Sequence, residues 1–185
     1  MPFVLSPQRI LDFDAENRPL SYLGDWTTAE ITVIAYKFLP RDSIVCLWQP
    51  EFTVQAILED FVTAYDDADI VTGHNIRKHD LPMVNAALLE HKMPPLRPIL
   101  VSDTYADLKR RSPGFGSQKT LAAMLGVSAP KVGMSTKGWR GANRFEDEAV
   151  QRALKRCIGD VKQHVQLRAR LLELGWLRAP RRWTP

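Results

Sequence analysis

Blocks of alternating and helically spaced apolar residues indicate an α/β protein. Short runs rich in β-branched and aromatic residues predict five strands, at 9–14, 30–38, 44–49, 69–75 and 98–105. Apolar residues at helical spacing predict helices at 53–68, 80–93, 117–127 and 145–174. Three glycines and weak periodicity predict a loop over 128–143.

The order of these elements predicts one mixed sheet. Three successive strands favour an antiparallel meander, and two later strands alternating with helices favour parallel addition through crossovers. We therefore expect a five-stranded sheet, three strands antiparallel and two parallel, flanked by helices. We expect residues 1–177 to form a single domain and the basic, proline-rich tail 178–185 to be disordered.

Composition narrows the class of protein. Apolar residues make up 45% and charged residues 25% of the 185, and no apolar run reaches the ~20 residues of a membrane span. Cys46 and Cys157 lack metal-ligand spacing, which together with the absence of a signal sequence favours a cytoplasmic protein. Residues 1–93 hold 14 Asp/Glu against 7 Lys/Arg, and residues 94–185 hold 7 against 18. An acidic half joined to a basic half suggests cation and phosphate binding in a nucleic-acid enzyme.

Acidic residues stand at three places where they can converge. Asp14 and Glu16 are two residues apart at the end of the first strand and therefore share a face. Asp80 starts a helix after the strand that ends near Asn75, and Asp160 flanks the apolar stripe of the last helix. Taken singly, these sites also have ordinary structural explanations: an acidic turn for Asp14 and Glu16, a helix cap for Asp80 and a solvated side chain for Asp160. Together they suit Mg²⁺ or Mn²⁺, which bind oxygen ligands and relieve carboxylate repulsion.

Three motifs carry a resemblance to a known family. The stretches "LDFDAEN", "GHNIRKHDLP" and "RCIGDV" resemble, in order, the motifs of the DEDD (DnaQ-like) 3′–5′ exonucleases of RNase H-like fold, with Asn-x4-Asp spacing as in family B polymerase proofreading domains. The resemblance runs from about residue 9 to 172. It implies that Asp14, Glu16, Asp80 and Asp160 are catalytic and hold two Mg²⁺ or Mn²⁺ ions.

The third motif departs from the family pattern. Such enzymes place a Tyr four residues, or a His five residues, before the last Asp, where this chain has Arg156 and Lys155. His164, one turn after Asp160, is a candidate general base, since an imidazole of pKa ~6.5 suits that role. His79 is a second candidate.

Basic residues near the motifs are candidates for sequence-independent phosphate contacts. The predicted nucleic-acid-binding residues are Asn75, Arg77, Lys78, Lys119 and Arg156, with Lys109, Arg110 and Arg111 as further candidates. Trp139 is expected either to stack a base or to pack on the core.

The leading hypothesis is a two-metal 3′–5′ exonuclease acting on single-stranded DNA ends in preference to RNA. Its partners would be nucleic acid and replication or repair proteins, in a bacterial or viral setting. One alternative is an RNase H-type or junction endonuclease, whose second carboxylate would come from a helix as Glu59. The other is a catalytically impaired nucleic-acid-binding module, which the altered third motif supports.

Overall fold

The computed structural model describes residues 8–17, 31–109, 111, 114, 116–128 and 132–185. The predicted strand start at residue 30, residues 129–131 of the predicted loop and the candidate Arg110 lie outside this part. The elements, in chain order, are β1 (Ile10–Asn17), β2 (Ile31–Leu39), β3 (Val45–Trp48), α1 (Val54–Asp67), β4 (Ile70–Gly73), α2 (Asp80–Glu90), β5 (Ile99–Asp103), α3 (Thr104–Lys109), α4 (Gln118–Met124), α5 (Thr136–Asn143), α6 (Asp147–Glu173) and β6 (Arg181–Trp183).

The strands form one mixed sheet in the order β3-β2-β1-β4-β5-β6. β1, β2 and β3 form the predicted antiparallel meander, and β4 and β5 add in parallel to β1. The prediction of an RNase H-like mixed α/β fold is confirmed. β1 pairs with β4 only from Ile10 to Asp12, so the last residues of β1 extend beyond the parallel pairing and leave room for a cleft.

The two faces of β1 bury different partners because side chains alternate along a strand. Leu11, Phe13 and Ala15 lie in the larger hydrophobic cluster, together with residues of α1 and α2. The opposite face of the sheet is covered by α6, whose Cys157 and Val161 pack with Val33 and Ala35 of β2 in a second cluster. Asp12, Asp14 and Glu16 share the face that α6 covers.

α6 is amphipathic along all of its 27 residues. Asp147 and Glu148 lie in its first turn and Arg170 in its last, which complements the helix dipole. No helix in the described part of the chain combines the length and the apolar character needed to span a membrane.

The predicted loop over 128–143 contains a helix, so that prediction was wrong for α5. Ser135 caps it by accepting a hydrogen bond from Gly138 N–H at 3.1 Å. Gly141 permits close packing, because a Cβ there would lie 2.9 Å from the Cβ of Ala149 on α6. Glycines usually indicate irregular structure, but Gly141 instead allows two helices to approach closely.

The prediction of five strands and a disordered tail was wrong for β6. This strand pairs antiparallel with β5, with Trp183 opposite Ile99, and Trp183 is buried in the larger cluster. Three residues after a proline carry no strand periodicity of their own. The pairing depends on an exposed edge of β5 that lies some 80 residues earlier in the chain.

We expect Trp183→Ala to lower the free energy of unfolding by about 3 kcal/mol, because it removes a large side chain from the core. Chemical denaturation would measure the change. The exposed neighbour Arg182, changed to Ala, is the matched control and should stay within about 0.5 kcal/mol of the unaltered protein. Equal stability of both variants would contradict an ordered β6.

Candidate active site

The site is built where α6 crosses β1 in the antiparallel sense. Two residues of a strand advance ~6.6 Å and four residues of a helix advance ~6.0 Å. Every second side chain of β1 can therefore lie opposite every fourth side chain of α6. Three pairs meet along the crossing: Asp12 with His164, Asp14 with Asp160, and Glu16 with Arg156.

Asp14, Glu16 and Asp160 form a carboxylate cluster. Each offers an oxygen, and these oxygens lie within 4.8 Å of one another. Asp160 is 3% exposed, whereas the other two are half-buried. The cluster opens into a cleft of about 350 Å³, which we call the carboxylate cleft. Carboxylates so close together require a counter-charge, since each raises the cost of ionising its neighbours.

Asp80 lines the same cleft as the first residue of α2. Its Oδ1 accepts a hydrogen bond from the backbone N–H of Ala15 at 3.3 Å, between the two acidic residues of β1. Asp80 is 5% exposed and is not one of the three carboxylates grouped within 4.8 Å. The structure thus brings all four predicted carboxylates to one cleft, three of them in close contact.

The turn before Asp80 is held by a buried carboxylate that the sequence analysis missed. Asp103, at the end of β5, accepts hydrogen bonds from the backbone N–H groups of Asn75, Arg77 and Ala106 at 2.9–3.1 Å. Asn75 adopts a φ of 73°, a left-handed conformation that asparagine tolerates well. The signal for Asp103 was available, because it ends a parallel strand beside β4, as Asp14 lies near the end of β1.

Arg156 brings a positive charge into the carboxylate cluster. Its Nε donates to Glu16 Oε1 at 2.6 Å, and its Nη2 lies 3.7 Å from Asp160 Oδ2. Burial alone would lower the pKa of Arg156, but the charges of Glu16, Asp160 and Asp14 outweigh burial and raise it above its ordinary value. The guanidinium is therefore charged at neutral pH.

α5 and the segment that precedes it contact Arg156 from outside the carboxylate cluster. The guanidinium carbon lies 5.6 Å from the centre of the Trp139 ring, and Nη1 donates to the carbonyl oxygen of Val132 at 3.1 Å. Trp139 packs against the cluster beneath α6. Of the two expectations for Trp139, packing on the core is the one that the structure bears out.

His164 lies away from the carboxylate cleft, which corrects the sequence-based expectation. It is 2% exposed, with Nδ1 2.7 Å from Asp12 Oδ2 and Nε2 3.1 Å from Thr104 Oγ1. His164 lies on the same face of α6 as Asp160, but the part of that face that carries His164 is packed against the sheet. Asp12 and His164 therefore form a buried pair that joins β1 to α6.

Two other histidines line the carboxylate cleft. His74 Nδ1 lies 3.0 Å from Thr104 Oγ1, and His79 Nδ1 lies 3.6 Å from Asp80 Oδ2. Hydrogen bonding to the Asp80 carboxylate, together with its charge, raises the pKa of His79 above its ordinary value, against an opposing effect of burial. Among the predicted bases, His79 is thus the one that the structure brings to the carboxylates.

Gln118, which the sequence analysis did not single out, braces the backbone at Asp160. It starts α4, is 6% exposed, and donates from Nε2 to the carbonyl oxygen of Asp160 at 2.8 Å. A polar residue at a helix start is usually exposed, so the sequence carried no signal for this contact.

A second cleft of about 420 Å³ adjoins the first, and we call it the basic cleft. Asn75 and Tyr105 line both clefts, so the two lie side by side. The basic cleft is also lined by Arg77, Lys78, Asp103, Ala106, Lys109, Arg181 and Trp183.

The predicted nucleic-acid-binding residues differ in their surroundings. Lys78 is exposed in the basic cleft, whereas Arg77 donates to the carbonyl oxygens of Arg181 and Arg182 at 3.0 and 2.7 Å and so ties this turn to β6. Burial lowers the pKa of Arg77. Lys119 is exposed on α4 and lines neither cleft.

Comparison with known proteins supports the fold. No family model matches the sequence, and no curated protein matches it. A family B DNA polymerase from the hyperthermophilic archaeon Pyrobaculum calidifontis has a similar structure, with a TM-score of 0.71 and 16% sequence identity. The match covers 90% of this chain and 25% of the polymerase chain. At this identity the likeness extends to the fold alone.

We expect His164→Ala to lower the free energy of unfolding by about 2–4 kcal/mol, because it leaves the buried Asp12 carboxylate without its donor. Chemical denaturation tests this, with the half-buried His91→Ala as control. If His164→Ala kept full stability, the pair with Asp12 would not be the contact that holds α6 on β1.

Proposed function

We propose that this chain is a metal-dependent 3′–5′ exonuclease that hydrolyses phosphodiester bonds at nucleic-acid ends, with single-stranded DNA favoured over RNA. The observation that supports it most directly is the convergence of Asp14, Glu16 and Asp160 within 4.8 Å, with Asp80 in the same cleft. A fold shared with part of a DNA polymerase agrees with this proposal.

The donor set fits divalent metal ions. Carboxylate oxygens are ligands that Mg²⁺ and Mn²⁺ prefer, and the cluster already requires positive charge, which Arg156 supplies in part. Asp14, Glu16, Asp80 and Asp160 would hold the ions. Two bound ions would supply an activated water and charge stabilisation at the attacked phosphate and the leaving 3′-oxygen.

The surrounding side chains then position these ligands. The Ala15 N–H orients Asp80, and Gln118 holds the backbone that carries Asp160. His79 is the residue best situated to accept a proton at the rim of the cleft, next to Asp80.

The basic cleft provides a path for the strand that leads to the scissile bond. Lys78 and Lys109 are available to phosphates there, and Tyr105 lines both this cleft and the carboxylate cleft. The acidic lining residue Asp103 is 3% exposed and its oxygens accept hydrogen bonds from backbone N–H groups, so it presents little carboxylate surface to a strand in the cleft. Contacts of this kind are made to the backbone and are independent of sequence.

The endonuclease alternative loses support. Its second carboxylate would be Glu59, which is exposed on α1, accepts a hydrogen bond from Gln55 at 2.8 Å and does not line the carboxylate cleft. The binding-module alternative retains one supporting observation, because the Arg156 guanidinium lies among the carboxylates that metal ions would use.

We expect purified protein with Mg²⁺ or Mn²⁺ to shorten single strands stepwise from the 3′ end. Asp14→Asn should reduce the rate by roughly 100-fold or more, because it removes a charge from the cluster without changing side-chain shape. Digestion of 3′- and 5′-labelled DNA and RNA strands, resolved on gels, measures both the polarity and the preferred sugar.

Glu59→Gln and the exposed Asp42→Asn are matched controls, and both should digest at the rate of the unaltered protein. Internal cleavage that is lost in Glu59→Gln would favour the endonuclease. Metal-independent digestion, or full activity of Asp14→Asn, would refute the proposal.

In the basic cleft, we expect Lys78→Ala combined with Lys109→Ala to weaken binding of single-stranded DNA. The slope of log affinity against log salt should fall by about 1.4, since each phosphate contact on a single strand contributes ~0.7. Binding is measured by fluorescence anisotropy in the Asp14→Asn background with Ca²⁺, which prevents digestion.

Lys119→Ala combined with Lys162→Ala removes the same charge outside both clefts and is the control. If the two pairs of substitutions changed the slope equally, the basic cleft would not be the path of the strand.

A further inference from the structure

Arg156 occupies the place that the proposed function requires for a cation. Its guanidinium contacts Glu16 at 2.6 Å and lies 3.7 Å from Asp160, and both carboxylates belong to the three-residue cluster. Arg156 and Asp160 are four residues apart on α6, so they lie on the same helical face. The positive charge therefore points into the cluster by its position on the helix.

The electrostatic consequence is competition for the same oxygens. A carboxylate oxygen that accepts a short hydrogen bond from a guanidinium has already gained part of the stabilisation that a metal ion would bring. The contacts are largely shielded from water, since the side chains of Arg156, Glu16 and Asp160 are 21%, 15% and 4% exposed. Coulomb interactions in such a site are screened less than at the surface.

Arg156 also has contacts that do not involve the carboxylates. Nη1 donates to the Val132 carbonyl, and the guanidinium lies over the Trp139 ring. These contacts can keep the guanidinium beside the cleft when the carboxylates are withdrawn from it. A retained arginine next to a metal-bound site is suited to a substrate phosphate.

We propose that Arg156 is an exchangeable internal cation, which holds Glu16 and Asp160 together in the metal-free protein and releases them when a divalent ion binds. This inference rests on the proposed function, because it assumes that the cluster holds a metal ion. It explains how an arginine can stand four residues before Asp160 without abolishing the site. It also predicts that Arg156 lowers metal affinity while it stabilises the metal-free fold.

The test is a calorimetric titration of chelator-treated protein with Mn²⁺ alone, which requires no activity. Arg156→Ala should bind Mn²⁺ about tenfold more tightly than the unaltered protein, a change of the size usually found when two bound cations influence each other in one protein. Lys155→Ala is the matched control, because it removes the same charge from an exposed neighbouring position on α6 and should leave the affinity unchanged.

Two further measurements separate competition from a general change in folding. Added guanidinium ion should weaken Mn²⁺ binding to Arg156→Ala and not to the unaltered protein, because only the variant has the site vacant. In chelator, Arg156→Ala should melt at a lower temperature than Lys155→Ala, and Mn²⁺ should raise its melting temperature by more.

The possible outcomes distinguish the inference from the function on which it rests. If the unaltered protein binds Mn²⁺ and Arg156→Ala binds it equally or less tightly, the exchange is refuted and the metal site stands. If neither binds Mn²⁺, the proposed function is refuted as well. Should Arg156→Ala not fold, Arg156→Lys replaces it: its single ammonium cannot make the two-pronged contact, and an affinity no higher than that of the unaltered protein would refute the exchange.

Discussion

The crossing of α6 over β1 is the constraint on which the rest of the site depends. Two residues of a strand and four residues of a helix cover almost the same distance. Three successive side chains on one face of β1 therefore each contact a partner on α6. The first pair, Asp12 with His164, is buried and anchors the crossing. The next two open into the cleft. A single packing arrangement therefore determines which carboxylate is structural and which ones are accessible.

The crossing concentrates negative charge at the carboxylate cluster, and nearby positive charge and backbone N–H groups compensate for it. The acidic side chains come mainly from the first half of the chain and the basic ones from the second, and α6 carries one of the latter into the cluster as Arg156. Asp103 and Asp80 are stabilised differently, by backbone N–H groups. The chain thus holds these carboxylates by two means, an internal cation and oriented backbone amides.

The edge strand β6 also shapes the proposed substrate path. β6 adds to the outer edge of β5, buries Trp183, and brings two backbone carbonyls to Arg77. That contact and the hydrogen bonds to Asp103 together hold the turn between β4 and α2. The basic cleft exists because β6, the turn and α3 meet there. A segment that looked dispensable in the sequence is therefore part of the wall of the proposed substrate path.

The sequence by itself predicted the first five strands, the helices α1, α2, α4 and α6, the mixed sheet and the four candidate carboxylates, because these depend on local periodicity and on motifs of short spacing. It could not determine β6, whose pairing needs an edge formed elsewhere, or α5, whose glycines serve a helix contact. It placed His164 on the correct face of α6 but could not tell that this part of the face is buried on Asp12. Only the tertiary structure decided that Arg156 lies between Glu16 and Asp160, because that contact joins residues 140 positions apart and arises from the angle at which a helix crosses a strand.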